Sequence, residues 1–231
     1  MTRANSGISR RRFVATGGAI GAVGLAGCLD NIPFLGDGPM TFAASQAIVP
    51  DTVLDETEYE EQGVDDVVIE ETFEAAGQSQ DVEVTNWMAE YDRAVDFGPL
   101  GLLSDERYQA AVFVALATPQ VDILGRTFNP VGDMSTTELA ELVQDHYDDF
   151  SGMEQVDEEQ ATVAGQTVTV AEFEAEAELL PAGQTIDVTV HISEAAELGD
   201  DFIVAIGGYP TTLESEADRF FSMAAAIEHD E

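Results

Sequence analysis

The sequence predicts an α+β fold: a mostly antiparallel sheet with helices packed on it, preceded by an N-terminal strand and hairpin. Three observations carry this. Runs of strand length with apolar or alternating character recur along the chain, at 67–74, 82–94, 108–117, 153–163, 166–179, 185–193 and 202–209. Two helix-start signatures, Ser135-Thr136-Thr137-Glu138 and Thr211 through Glu214, bracket the last four runs. The resulting order of strands, helix, four strands and helix is that of helices segregated onto an antiparallel sheet. With 45% apolar residues, twelve Phe and five Tyr, the chain has the material for a packed core despite its acidity.

Taken in order, Met40 to Val49 is an uncharged apolar run that reads as a strand, stopped by Pro50-Asp51, with a polar turn or helix over 51–62. The next two runs are joined by Ala75-Ala76-Gly77-Gln78-Ser79, a hairpin loop, and Trp87, Ala89 and Tyr91 alternate onto one face as core. Tyr108 to Ala117 is continuously apolar, as expected of a central strand covered on both faces. Met134 is placed to staple onto the helix that Ser135 opens, whose apolar face reads Leu139, Leu142, Val143, His146, Tyr147 and Phe150, with Gly152 ending it. Gly165 marks the turn between the next two strands. The apolar parity then slips, from Val168 and Val170 to Ala171, Phe173, Ala175 and Ala177, which predicts a bulge. In 185–193, Ile186, Val188, Val190 and Ile192 alternate with Asp187, Thr189 and His191, giving one buried and one wet face. Thr211 to Glu214 opens a last helix with a core face of Ala217, Phe220, Phe221, Ala224 and Ile227, ending near His229 at a fraying terminus.

The first 27 residues have a different character. Ser9-Arg10-Arg11-Arg12-Phe13 matches the twin-arginine export pattern, with Arg10 and Arg11 as the export pair, and residues 14–27 carry no charge. Those 14 residues fall short of the roughly 20 that a membrane span needs, and suit a removed signal. Leu25-Ala26-Gly27-Cys28 reads as a lipobox, with Cys28 lipidated and tethering the mature chain to the extracytoplasmic face of the cell membrane. The expected organisation is a signal peptide over 1–27, a lipidated cysteine and tether over 28–39, and a single α/β domain over 40–231. Cys28 is the only cysteine, so packing without disulfides must hold the domain.

All 46 acidic residues follow Cys28, against four arginines, Arg93, Arg107, Arg126 and Arg219, and no lysine, a net charge of −42 over 28–231. Such a chain repels itself in dilute buffer and is comfortable only under strong screening, where at about 1 M salt the Debye length is near 3 Å. It reads as the protein of a halophile. Nucleic acid is excluded as a partner, and an anionic membrane surface is disfavoured except through the lipid.

The acidity is uneven. Residues 97–134 hold four acids and two arginines over 38 residues, while the other 166 carry −40. In a chain coated with carboxylates, a nearly neutral stretch is either buried or reserved for contact. Its flanks, Phe97-Gly98-Pro99-Leu100-Gly101-Leu102-Leu103 and the loop from Ile123 to Met134, supply the candidate contact residues Phe97, Leu100, Leu102, Leu103, Arg126 and Phe128, with His191 added from its wet strand face. Burial of the first flank against the core stays open beside the contact reading.

Ala117-Thr118-Pro119-Gln120-Val121, Leu124-Gly125-Arg126-Thr127-Phe128-Asn129-Pro130, Val190-His191 and Gly207-Gly208-Tyr209-Pro210 resemble a family of haloarchaeal lipoproteins of unknown function, over about 40–230. The helix, four strands, helix order is also similar to the PsbP-like fold, whose members include extrinsic subunits of photosystem II and various lipoproteins. The first resemblance implies a membrane-tethered surface domain and carries over no catalytic residue. The second implies an α/β sandwich and no function.

No catalytic constellation, cofactor motif or metal site is expected. His146, His191 and His229 have no ligand spacing, and the serines have no neighbouring His of the kind that activates a nucleophile. Asp65-Asp66, Asp148-Asp149, Asp157-Glu158-Glu159 and Asp200-Asp201 lack the pattern of a calcium loop and read as solvated surface. The expectation is a non-enzymatic binding or interaction module for an unknown envelope protein or small ligand. The alternatives are a small-molecule or lipid carrier with a cavity between the sheet and the 136–150 helix, or a hydrolase with a scattered site around His191.

Overall fold

The computed structural model describes residues 39–75, 78–95, 108–123, 126–127, 129–146, 150–179 and 184–229. In chain order the elements are β1 (Met40–Ala43), β2 (Ala47–Ile48), α1 (Asp51–Thr57), β3 (Glu60–Ala75), β4 (Gln78–Val95), β5 (Tyr108–Pro119), β6 (Asp122–Ile123), β7 (Arg126–Thr127), a 3-10 turn (Pro130–Asp133), α2 (Thr136–His146), β8 (Phe150–Val163), β9 (Gln166–Leu179), β10 (Gln184–Ser193), β11 (Ala196–Leu198), β12 (Asp201–Pro210), α3 (Glu216–Ala225) and β13 (Glu228–His229). This is the α+β class that the sequence predicts.

The sheet runs β3-β4-β5-β12-β10-β9-β8, each neighbouring pair antiparallel. Two short strands extend it where a longer one stops. β1 lies parallel to β4 at Val82 to Thr85, past the end of the β4–β5 ladder, and β11 pairs Asp201 to Ile203 of β12, past the end of β10. The predicted strand over 40–49 is thus two pieces, β1 in the sheet and β2 paired with β13.

Helices cover the two faces unequally. On one face Ala111, Phe113, Ala115 and Ala117 of β5, with Ala89 and Tyr91 of β4 and Ile203, Ala205 and Tyr209 of β12, pack under Phe220, Met223 and Ala224 of α3 and Leu54 of α1. On the other, Leu139 and Ala140 of α2 sit on Phe173, Val190, Ile192 and Val204. α2 lies over β8, β9 and β10, so β5 is sealed on its α3 face while Val112, facing the other way, is 41% exposed. The expectation that β5 is covered on both faces therefore holds for one face among the described residues.

One glycine sets the spacing of α3. Across the sheet, Tyr91, Phe113, Gly207, His191 and Glu172 form one row. At Gly207 the ring of Phe220 takes the space a side chain would fill: an added Cβ would lie 2.4 Å from its Cδ2. That ring is buried, with centroids 5.6 Å from Phe113 and 4.9 Å from His191, and has nowhere to retreat. Gly207→Ala is expected to cost about 1–3 kcal/mol, the range for overpacking a filled core. Chemical unfolding of the purified variant measures it, and a loss within 0.5 kcal/mol (on the order of ordinary surface substitutions) would show that α3 lifts freely.

Several local predictions change on contact with the tertiary structure. Ser135 and Glu138 form the reciprocal capping box: the Ser135 amide donates to Glu138 Oε2 at 2.9 Å and the Glu138 amide to Ser135 Oγ at 3.3 Å. The helix they open stops at His146, and Phe150 begins β8. Its buried side is Leu139, Ala140 and Val143, with Leu142 43% exposed, because the stripe sits one position round from the predicted one. Thr211 and Glu214 form no such box. α3 starts a turn later, with Ser215 at its N-cap, and ends at Ala225.

β9 has no bulge, since ten consecutive residues pair in register with β10. Its parity slip is a change of cover: Val168 and Val170 face the α3 side, and Ala171, Phe173 and Ala175 the α2 side. The register shifts lie in β8, between Ser151 and Glu154 and between Gln155 and Asp157. The β8–β9 turn is as predicted, with Ala164 and Gly165 both at positive φ, 47° and 79°, the geometry of a two-residue type I′ hairpin.

Candidate functional site

Of the contact residues expected from sequence, Phe97, Leu100, Leu102, Leu103 and Phe128 lie outside the described residues, as do Arg10, Arg11, Cys28 and Asp148-Asp149. Arg126 stands in the two-residue strand β7, opposite Ile123 of β6. The loop that carries it is anchored at Asn129. The Asn129 amide donates to Thr118 Oγ1 and to the Pro119 carbonyl, each at 2.7 Å, and its Oδ1 accepts from the Val131 amide at 3.1 Å. Thr118 in turn donates to Asn86 Oδ1, whose own amide donates to the carbonyl of Val67 on β3. Three buried polar side chains thus tie the loop to β4 and to the edge of the sheet. The Asn-Pro step, a cap followed by Pro at the first helical position, was the sequence signal for this anchor.

His191 is where the sequence misleads most. The alternation of β10 assigns it to a wet face, yet it is 2% exposed, because α3 and its aromatic residues cover that face too. Its ring lies against Phe220 and Phe221, at centroid distances of 4.9 and 5.4 Å, and its Nε2 is 2.7 Å from the Tyr209 hydroxyl. Burial pulls the imidazole pKa down to about 4 and, for Tyr209, raises the phenol above its ordinary range, with the Glu172 and Glu216 charges adding to the rise. Glu172, paired with His191 across β9, is held above the usual carboxylate range by desolvation and by Asp157 and Glu174. The neutral His-Tyr pair is a hydrogen-bonded element of the core, and offers no surface to a partner.

A second buried centre sits where α3 starts. Glu216 is fully buried. Its Oε1 meets Arg93 Nη2 in a very short contact and Arg219 Nη1 at 3.0 Å, while Oε2 accepts from the Tyr59 hydroxyl at 3.1 Å. Arg219 also reaches Glu58 at 3.1 Å and the Thr57 carbonyl at 3.1 Å, capping the end of α1. Two of the four arginines after Cys28 therefore converge on one carboxylate. No local pattern joins these residues, so periodicity could not find them.

His229 also departs from expectation. Far from fraying, it lies in β13, with Nε2 2.8 Å from Asp201 Oδ2 and its buried Nδ1 without a hydrogen-bond partner among the described residues. The same Asp201 oxygen accepts from the Ser45 amide at 2.8 Å. Asp201 is therefore buried, whereas its neighbour Asp200 is exposed as predicted for the pair. The three elements β2, β12 and β13 are pinned together here.

Glu154, Glu174, Glu176 and Asp187, with Thr211, line an open groove of about 260 Å³ on β8, β9 and β10. Among the described residues no group of three His, Cys, Asp or Glu is arranged to hold a metal ion, and no helix is long and apolar enough to cross a membrane.

No curated protein matches the sequence. Among solved structures, the solution structure of cyanobacterial PsbP (CyanoP) from Synechocystis sp. PCC 6803 aligns over 87% of this chain and 99% of that one, at 11% identity and a TM-score of 0.34. A family match covers residues 46–228, nearly the whole sheet and its helices, and the chain belongs to that family, described as a domain of unknown function (DUF6517).

Proposed function

We propose that the chain is a non-enzymatic binding module, tethered through a lipid on Cys28 at the extracytoplasmic face of the membrane of a halophilic cell. The observation that carries the non-enzymatic reading is the engagement of His191, the residue on which the hydrolase alternative rests. It is stacked under Phe220 and bonded to Tyr209, and His229 is bonded to Asp201, which supports a structural role for both imidazoles. The carrier alternative has less support: the inner side of α2 rests on Phe173, Val190 and Ile192, and the groove among the described residues opens on the opposite face. For the tether, the support is the twin-arginine pattern and lipobox, and for the salt habitat, the 46 acids against eight arginines.

The contact surface in this reading is the low-charge flank, Phe97 to Leu103, with Arg126 and Phe128. Affinity capture of the full-length protein from its own envelopes in high salt, with mass spectrometry of co-purifying proteins and extracted small molecules, tests it. A stoichiometric protein supports the module, a bound lipid or metabolite without protein supports a carrier, and nothing captured revives catalysis. Leu100→Glu with Leu102→Glu is expected to abolish capture while leaving the unfolding midpoint nearly unchanged; a large loss of stability would show the flank to be core.

A further inference from the structure

β3 is a 16-residue edge strand, and β4 is its sheet partner among the described residues. Alternate residues of such a strand turn their N–H and C=O groups away from the sheet, a template for another strand. Proteins usually blunt long edges with lysine, proline, a bulge or inward charge. β3 has no lysine or proline, and its register shift, between Glu61 and Gly63, lies at its start. Its middle is instead bare and apolar: Val67, Val68 and Ile69 are 41%, 47% and 47% exposed, three in succession on a chain with 46 acids. Asp65-Asp66 and Glu70-Glu71 flank the triplet on both sides.

The charge pattern decides what fits. A second copy paired antiparallel about Val68 would set Asp66 opposite Glu70 and Asp65 opposite Glu71 twice over, acid facing acid across the ladder, which is destabilising. A segment with apolar residues between basic ones meets the same edge with every charge paired.

We propose that the β3 edge from 64 to 71 docks an extended segment of a partner protein, with about three apolar residues flanked on both sides by lysine or arginine, as an added strand of the sheet. This rests on the binding-module reading and gives that module a second candidate surface, made of residues other than those of the 97–103 flank.

The probe is a fluorescent heptapeptide, Lys-Arg-Val-Ile-Val-Arg-Lys, titrated by anisotropy against the full chain at high and at moderate salt. Two versions are N-methylated on alternate residues, each blocking one edge of the peptide. A strand uses only one of its edges, so one version should bind as the parent does and the other at least about tenfold more weakly. Val68→Lys, which keeps the fold by its unfolding midpoint, should weaken the parent by a similar factor. Equal binding of both versions, or indifference to Val68→Lys, would mean plain charge attraction and overturn the proposal. So would a dimer in sedimentation that Val68→Lys dissociates. In envelope capture, a partner retained by Val68→Lys but lost with the Leu100 and Leu102 variants removes the edge site and leaves the module reading intact.

Discussion

Glu216→Leu is expected to destabilise the fold by about 3–5 kcal/mol, the range for breaking a buried ion pair by removing one partner, read from chemical unfolding at constant high salt. Much of that cost comes from what stays behind. Arg93 and Arg219, with side chains 15% and 24% exposed, lose the carboxylate that both of them face. Tyr59, whose hydroxyl donates to the same carboxylate, loses its acceptor. Glu58, 67% exposed, is too solvated to compensate: it stays 3.1 Å from Arg219 and 3.9 Å from Arg93, and a surface pair contributes about 0–1 kcal/mol. Against a total stability of roughly 5–15 kcal/mol for a domain, the single change takes a large share. Glu216→Gln keeps the shape and one acceptor and should fall between wild type and Glu216→Leu. Arg93→Met combined with Glu216→Leu should recover part of the loss, because one uncompensated cation goes with the anion. A Glu216→Leu variant within about 1 kcal/mol of wild type would mean that water reaches the cluster and that α3 is held by its apolar face alone.

Much of the sheet was legible because its signals are local. β5, β9, β10 and β12 are near-continuous or alternating apolar runs bounded by turn residues, and Ser135 with Glu138 is a cap that four residues make among themselves. Failures occurred where tertiary contact overrides periodicity. An alternating strand reports one buried face, but of Asp187, Thr189 and His191, which the alternation assigns to water, Thr189 and His191 are buried, His191 under Phe220 and Phe221 of α3. Thr211 has the same local pattern as Ser135, yet Thr189 draws its hydroxyl at 3.2 Å and the helix waits for Ser215. The two buried polar centres join residues far apart, Arg93 to Glu216 and Asp201 to His229, and no spacing rule reaches that distance. The candidate contact surface was legible only as an anomaly of charge, and the exposed triplet on β3 became visible once its strand proved to be the edge.

Acidification provides the second large effect, through His191. Its pKa falls to about 4 in the fold because burial disfavours the imidazolium, against about 6.5 in the unfolded chain. Between those values the unfolded state binds the proton and the native state does not, so stability falls as pH falls. The contribution is fully present above about pH 6.5 and is lost progressively as pH drops through 6.5 towards 4, by about 2–3 kcal/mol at pH 4.5. In the neutral tautomer with its proton on Nδ1, the ring accepts from Tyr209, whose raised pKa keeps it a donor throughout this range. Many carboxylates titrate over the same window, so total stability does not isolate the effect; the difference between wild type and His191→Gln does. Glutamine still offers Tyr209 an acceptor but has no proton to take up. At pH 8 the variant should be less stable by about 1–3 kcal/mol, from lost ring packing. The gap should then close as pH approaches about 4.5, through the titration of the wild type alone. A gap constant from pH 8 to 4.5 would mean that His191 keeps its ordinary pKa, and so that the Phe220-Phe221 cover opens to water in solution.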